Sequence, residues 1–346
     1  MKQIIFGIFG LLAAVSLFAQ SDLQNVAAIV NIIRPEPITV SQFRIEVERM
    51  ERTTGRILTQ DERFQVLNDI INEKLILQAA ERDGVIITDD ELTHHLQQVG
   101  SGMVQQIGRQ FTDDEFTQFI MNLSGLSVED FKEHLRNQLI IQKYLILKSS
   151  ILSNISRPTE EEITTEYNLI KHLLVRPETI RVFIIQVPYG PNAASRTAAR
   201  IFIDRLSEEI DFNPIKFDEV AARSVEPNSG YQAGYLGYLS RNVEANARNQ
   251  EFIKFAFSLQ QDQISSVIDS GLGFQIIKIK EKYDFKYLEL DDIIQLGSTI
   301  TVREYLEQIV LNKKQQAAFT QAKQELITDL RITGRTFQII ESNLNW

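Results

Sequence analysis

The chain is sparing with the side chains that carry most covalent chemistry. It has no cysteine and four histidines, His94, His95, His134 and His172, so no imidazole lies between Thr179 and Trp346. His94 and His95 are adjacent, and on a helix adjacent side chains diverge by about 100°, so the two cannot grip one metal ion together. Acid-rich stretches occur as "TDDE" at Thr88, "TDDE" at Thr112 and "SVED" at Ser127. A hydroxyl just ahead of carboxylates marks a helix start: the oxygen accepts from free backbone N–H groups, and the acids suit the positive end of the helix dipole. These clusters read as caps, not metal ligands. No G-x-S-x-G, H-E-x-x-H or G-x-x-x-x-G-K-[ST] pattern occurs, which argues against hydrolases of those kinds and against a phosphate-cradling loop. What stands out is an amide, Gln275, at the head of "GLGFQIIKIK" (271–280). Alternation puts Gln275, Ile277 and Ile279 on one strand face and Phe274, Ile276 and Lys278 on the other. An amide can donate and accept hydrogen bonds but does not change protonation state.

The elements that would position such a residue belong to a large folded chain. Its 346 residues suffice for two or three domains, and 43% apolar content is ordinary for proteins with buried cores. The net charge of −10 argues against the basic surface a nucleic-acid partner needs, leaving polypeptide as the expected partner. The opening "MKQIIFGIFGLLAAVSLFAQ" has one basic residue, Lys2, then an uncharged stretch from Ile4 to Ala19 that ends in small residues. This reads as a secretory signal cleaved near Ala19 or Gln20. The stretch is shorter than the roughly 20 residues of a bilayer span, so no membrane span is expected after cleavage. Without cysteine, the exported chain can be neither lipidated as a bacterial lipoprotein nor stabilised by disulfides.

After the signal, "VAAIVN" (26–31) is a short β-type run, followed by Pro35 and Pro37 in an extended or turn segment. Helices follow, the first capped by Thr39 and the second running from Thr59 to Gly84 with Phe64, Leu67, Ile71, Leu75 and Ala79 on its buried face. The helix from Ser127 carries Phe131, Leu135, Leu139, Ile140 and Leu147 on one side, and another restarts after Pro158 with Thr159 and Glu162 in capping-box register. From Ile180 to Phe285 the strands "RVFIIQV" and "GFQIIKI" enclose a helical segment and a Gly-rich turn region, a compact α+β domain. From Thr301 a long helix offers Val302, Leu306, Ile309, Ala317, Leu326 and Leu330 for burial, and "RTFQIIESNLNW" closes the chain with a strand candidate. Such a late helix needs a partner surface, and the first helical block supplies one. The β-containing domain would then be an insertion in one discontinuous helical domain.

In this order the pieces resemble the SurA family of periplasmic chaperones: a signal, "VAAIVN…PITVSQF", "VLNDIINEKLILQAAERDGV", "LSVEDFKEHLRNQLIIQKYL", one small α+β domain and a long final helix. The middle domain resembles a parvulin-type (PpiC, rotamase) peptidyl-prolyl isomerase. Its "FDEVAARSVEPNSGYQAGYLGYLSR" stands where parvulins have a Gly-Gly-Asp-Leu-Gly turn, and "EFIKFAFSLQQDQISSVIDSGLGFQIIKI" is similar to their Phe-rich helix and closing strand. The resemblance implies an α+β multidomain fold: a signal peptide over 1–20, a helical chaperone domain over 21–175, a parvulin-like domain over 176–286 and a C-terminal helix over 287–346 that packs on the N-terminal domain.

The resemblance also implies a proline pocket. Rotating an X-Pro bond crosses a barrier of roughly 20 kcal/mol without covalent cleavage, so the site needs an apolar grip on the ring and polar support for the twisted amide. Leu236, Phe252 and Phe257 fall at the grip positions. Of the polar positions, the first-strand histidine aligns with Ile184, the last-strand histidine with Gln275, the Cys or Asp with Glu226, the turn aspartate with Tyr235 and the loop hydroxyl with Ser270. Losing both imidazoles removes a paired hydrogen-bond network, so isomerase activity is expected to be weak or absent and no side chain is assigned a catalytic step. The leading expectation is a periplasmic, ATP-independent chaperone for unfolded outer-membrane or secreted polypeptides, with no cofactor or metal. The alternatives are an active isomerase that assists exported proteins, and a scaffold tethered by an uncleaved signal.

Overall fold

The computed structural model describes residues 25–107, 109–110, 112–190, 192–241, 250–271, 273–332 and 334–344. The signal expected over 1–20 lies outside them. Two compact units divide the chain: the first combines the residues up to Ser156 with Lys313–Trp346, and the second is Arg157–Asn312.

The first unit contains β1 (Val26–Asn31), β2 (Pro35–Thr39), α1 (Val40–Thr54), α2 (Gln60–Arg82), α3 (Asp89–Ile107), α4 (Asp113–Ser124), α5 (Val128–Lys148) and the single turn α6 (Ser150–Ser153). The acid-rich helix starts are caps. Thr39, Thr59 and Thr112 form capping boxes with Gln42, Glu62 and Glu115, and Thr88 does so with Glu91. Cations also hold three of these carboxylates. Arg56 and the Thr59 backbone bring Glu62 down to about 2, Lys143 and the Thr88 backbone do the same for Glu91, and Arg109 and the Thr112 backbone for Glu115. A carboxyl depressed in the folded state stabilises it above the unfolded value of 4.5, and that contribution is lost as pH falls towards 2. The thermal midpoint of the full chain is therefore expected to fall across this window. A triple Glu62→Gln, Glu91→Gln, Glu115→Gln variant should start lower at pH 7 and fall less steeply; an equally steep acid limb would rule these caps out as its source.

A large core lies in this unit, with a smaller cluster of Ile87, Leu92 and Leu139 beside it. Leu67, Ile71, Leu75, Ile76 and Ala79 of α2 meet Tyr144 and Leu145 of α5 and the buried residues of β1. The closing segments join them. The long closing helix Val302–Ile332 contributes Ala322, Ile327 and Leu330, and the final strand Phe337–Ile339 pairs with β1, which lies centrally between it and β2. Gln78 is buried at its polar end: Oε1 accepts the Ile32 and Ile33 N–H groups at 2.9 and 3.3 Å, and Nε2 donates to Glu36 at 2.9 Å, closing the β1–β2 turn.

Some faces differ from the sequence expectation. Phe64 is 41% exposed, because α2 is covered broadly and its burial begins at Val66 and extends to Ala80. Leu147 is 64% exposed in the last turn of α5, whose buried side is Leu139, Ile141, Tyr144 and Leu145.

The second unit runs through α7 (Glu160–Ile170), β3 (Val175–Arg176), β4 (Thr179–Pro188), α8 (Ala193–Ile210), α9 (Pro214–Ala222), β5 (Gln232–Ser240), α10 (Gln250–Ser258), β6 (Ile268–Asp269), β7 (Gly273–Tyr283) and β8 (Lys286–Tyr287). The helix α11 (Val302–Ile332) starts in this unit and ends in the first, and β9 (Phe337–Ile339) follows it. Ala317, expected to be buried, is exposed on α11; Val310, Ala322 and Ile327 are buried there instead. Thr159 and Glu162 form the capping box of α7, whose Ile163 clusters with Leu174, Leu288, Val302 and Leu306. This packing puts α7 with the second unit, not with the helices that precede it.

Four antiparallel strands in the order β5-β4-β7-β6 form the sheet of this unit. Helices α8 and α9 cover the face that carries Ile185, Val187, Phe274 and Ile276, and α10 covers the face with Ile180, Val182, Ile277 and Ile279. β7 is thus buried on both faces, which is why it reads as a nearly continuous apolar run. Lys278 is part of that burial. Its side chain is only 2% exposed, and Nζ donates to the Pro214 carbonyl and to Asp218, each at 2.9 Å, pinning the start of α9 to the sheet. The architecture is α+β and multidomain, as expected. Among the described residues no helix is long and apolar enough to cross a membrane.

Candidate functional site

Two central strands position the site. β4 and β7 pair so that Ile184 lies opposite Ile277 and Gln186 opposite Gln275. Side chains alternate along a strand, so Ile180, Val182, Ile184 and Gln186 share the α10 face with Gln275, Ile277 and Ile279. On this face Ile184, Leu236, Phe252 and Ile268 pack partly buried against a core that includes Ile253, Phe257 and Ile277. The structure therefore brings together Ile184, Leu236 and the α10 pair Phe252 and Phe257, from three segments that lie far apart in sequence.

Gln275 heads the same face. Its Nε2–H donates to Gln186 Oε1 at 2.9 Å, and both side chains are half-buried. Gln186 is the residue that sequence reasoning missed. The signal was present in "RVFIIQV", where Gln186 stands two residues after Ile184 and so on the same face. Ile184 and Gln275 are diagonal neighbours across the ladder, so the polar contact at Gln275 comes from Gln186.

Tyr235 does not join this group. Its ring meets Phe183 edge-on at 4.6 Å between centroids, Phe183 in turn meets Phe217 of α9, and the Arg181 guanidinium stands 4.2 Å from the Tyr235 centroid. These contacts lie on the α8–α9 face, where Tyr235 is 51% exposed. Tyr235 is the ladder partner of Phe183 on that face, and consecutive side chains of a strand alternate, so Leu236 beside it faces α10. The β4–β5 register pairs Val182 with Gly237 and Phe183 with Tyr235, which leaves Leu236 as the extra residue, and Gly237 takes a φ of 99°.

Glu226 follows the single turn Arg223–Val225 after α9 and is exposed. Among the described residues no hydrogen bond joins its carboxylate to Gln186 or Gln275. Ser270 lies in the β6–β7 turn, where its hydroxyl donates to the Gly273 carbonyl at 2.8 Å. Beside it, Asp269 accepts from Tyr189, from Arg196 at 2.6 Å and from the Gly271 N–H at 3.0 Å, which ties this turn to the start of α8. Ser265 is buried, and its Oγ accepts the Ile277 N–H at 2.9 Å. The arrangement is an apolar wall headed by a neutral amide pair: it can grip a ring and hydrogen-bond a peptide group, and it offers no group that titrates near neutrality. Among the described residues no trio of acidic or imidazole side chains is placed to hold a metal ion. A hollow of about 690 Å³ lies elsewhere, along one face of α11 from Lys313 to Glu325.

Residues 1–145 match the SurA-like N-terminal domain family, and residues 172–281 match the PPIC-type PPIase domain family. A foldase protein PrsA of Clostridium botulinum is 25% identical over 288 residues, covering 82% of this chain and 76% of that protein. A chaperone SurA of Colwellia psychrerythraea is 23% identical over 283 residues, covering 78% of this chain and 60% of that protein. Among solved structures, a SurA-like chaperone of Campylobacter jejuni aligns over 91% of this chain and 98% of its own, with 16% identity and a TM-score of 0.34. PrsA from Bacillus subtilis aligns over 84% and 88%, with 19% identity and a TM-score of 0.26.

Proposed function

We propose that this chain, which joins a SurA-like N-terminal domain to a PPIC-type PPIase domain, holds unfolded exported polypeptides outside the cytoplasm without using ATP. The periplasm is the proposed compartment, reached through a cleaved signal over 1–20, and outer-membrane β-barrel proteins are the proposed clients. The helical domain supplies the main client surface: it exposes Ile45, Met50, Ile57, Ile86, Ile146 and Leu147 to solvent.

The observation that carries the reading of the middle domain is the sheet face under α10. Ile184, Leu236, Phe252 and Phe257 make an apolar wall, and of the two positions where the resemblance calls for an imidazole one is the amide Gln275 and the other is Ile184 itself. We assign these residues with Gln275 to a pocket that binds proline-containing segments with little turnover. Tyr235 and Glu226 are not part of it.

The test is suppression of aggregation of a chemically unfolded β-barrel protein by the full chain and by a chain lacking 176–286. Both are expected to suppress it; a shortened chain that stays folded yet gives no protection would move client binding to the middle domain. The retained wall also favours a second reading, an active isomerase. A protease-coupled proline-peptide assay on the full chain separates the two: turnover that disappears with Phe252→Ala establishes the enzyme, and a rate equal to the uncatalysed one excludes it.

A further inference from the structure

The Gln186–Gln275 hydrogen bond occupies one N–H of Gln275 and one lone pair of Gln186. The Gln186 NH2 group therefore keeps donor capacity, and Gln275 Oε1 keeps acceptor capacity, on the face that carries Ile184, Leu236 and Phe252. Two facing apolar residues would pack at this half-buried position without any polar group to satisfy, so the amides are not required by the sheet. The bond also fixes an orientation. Because Gln275 holds the carbonyl end of the Gln186 amide, the opposite end of that amide has a set direction.

A peptide group before proline has a particular need. It has no N–H, the residue ahead of it is biased to extended backbone, and its carbonyl oxygen is the one hydrogen-bonding atom it presents. We propose that Gln186 and Gln275 form the subsite for the X-Pro peptide group of a client: Gln186 Nε2–H donates to the X-Pro carbonyl oxygen, and Gln275 is the positioning residue that orients that donor. This inference rests on the proposed proline pocket and deepens it. The ligand is recognised through its backbone carbonyl beside a proline ring, so the side chain of X is not selected and no charged or phosphorylated residue is preferred.

The experiment uses the full chain and a fluorescent Ala-Ala-Pro-Phe peptide, together with the same peptide carrying sulfur in place of the Ala-Pro carbonyl oxygen, a weaker acceptor. The natural chain is expected to bind the oxygen peptide about fivefold tighter than the sulfur peptide, the size of one net hydrogen bond. Gln186→Leu and the double variant Gln186→Leu, Gln275→Leu should bring that ratio to about one, with sulfur-peptide affinity unchanged; Gln275→Leu should narrow it. The double variant leaves no orphaned amide, so its unfolding midpoint is expected to stay near that of the natural chain. A ratio that survives Gln186→Leu, in a chain that loses peptide binding on Phe252→Ala, overturns the subsite alone. Peptide binding that is indifferent to Phe252→Ala, or absent from the natural chain, overturns the pocket reading and the subsite with it.

Discussion

A chain that ends at Asn312 is expected to lose the fold of its first unit while the second remains folded. The removed segment supplies Ala322, Ile327 and Leu330 to the core of the first unit, and Phe319, Leu326, Phe337 and Ile339 pack partly buried against it. At about 1.5–3 kcal/mol for each fully buried large side chain and less for the others, the loss is on the order of 10 kcal/mol. A whole domain is commonly stable by only about 5–15 kcal/mol. The backbone suffers as well: β9 pairs with β1 at Ala28, Ile29 and Val30, in a strand buried from Val26 to Val30, and removing it strips that strand of one set of partners. The Arg331 guanidinium, which donates to Asn68 and Asn72 of α2, goes too. Limited proteolysis read by mass spectrometry should find new cuts in α2 and α5 of the shortened chain and none in β4 or β7. Equal protection of α2 and α5 with and without residues 313–346 would show that the first unit stands on its N-terminal part alone.

Local chemistry was the most legible layer of the sequence. The hydroxyls at Thr39, Thr59, Thr88, Thr112 and Thr159 announced helix starts because a cap is decided within four residues, and each lies where the structure caps a helix. The grip residues were legible for a different reason: Leu236, Phe252 and Phe257 sit in segments whose order resembles a known domain, and their clustering follows from that fold. Features set by distant partners were not legible. Lys278 alternates with Phe274 and Ile276, yet a lysine there reads as solvent-facing until Asp218 and the Pro214 carbonyl, from a helix sixty residues earlier, are seen to receive its ammonium. Tyr235 stands among the pocket positions only through the resemblance: alternation along β5 puts it on the face opposite Leu236, and which face that is depends on its pairing with Phe183. Gln186 passed as an ordinary strand residue, since its meaning depends on a register that brings it opposite Gln275. The helix α11 reads as one element, and nothing in its periodicity tells where it leaves one compact unit for the other.

The register that makes Gln186 and Gln275 partners depends on a glycine, so a single added methyl group at residue 273 is expected to destabilise the second unit by about 2–3 kcal/mol. A Cβ on Gly273 would stand 2.5 Å from the Val187 carbonyl oxygen and 2.9 Å from the Pro188 Cα. Both are backbone atoms of β4, paired with Phe274 and Gly273 across the ladder, so relief requires the two strands to part at this end. Gln275 is two residues further along the displaced strand, and its 2.9 Å bond to Gln186 lies in the path of that movement. Gly273→Ala should therefore lower the denaturant midpoint of the second unit and weaken proline-peptide binding together, while suppression of client aggregation by the helical domain persists. Gly102→Ala in α3 is the matched control, because a Cβ there meets nothing within 4 Å among the described residues and a glycine inside a helix costs about 0.5–1 kcal/mol relative to alanine. It should raise stability slightly and leave peptide binding alone. If Gly273→Ala unfolds with the natural chain and binds the peptide as well, the β4–β7 approach is not what fixes the amide pair, and the orientation of Gln186 must come from Gln275 and the apolar wall alone.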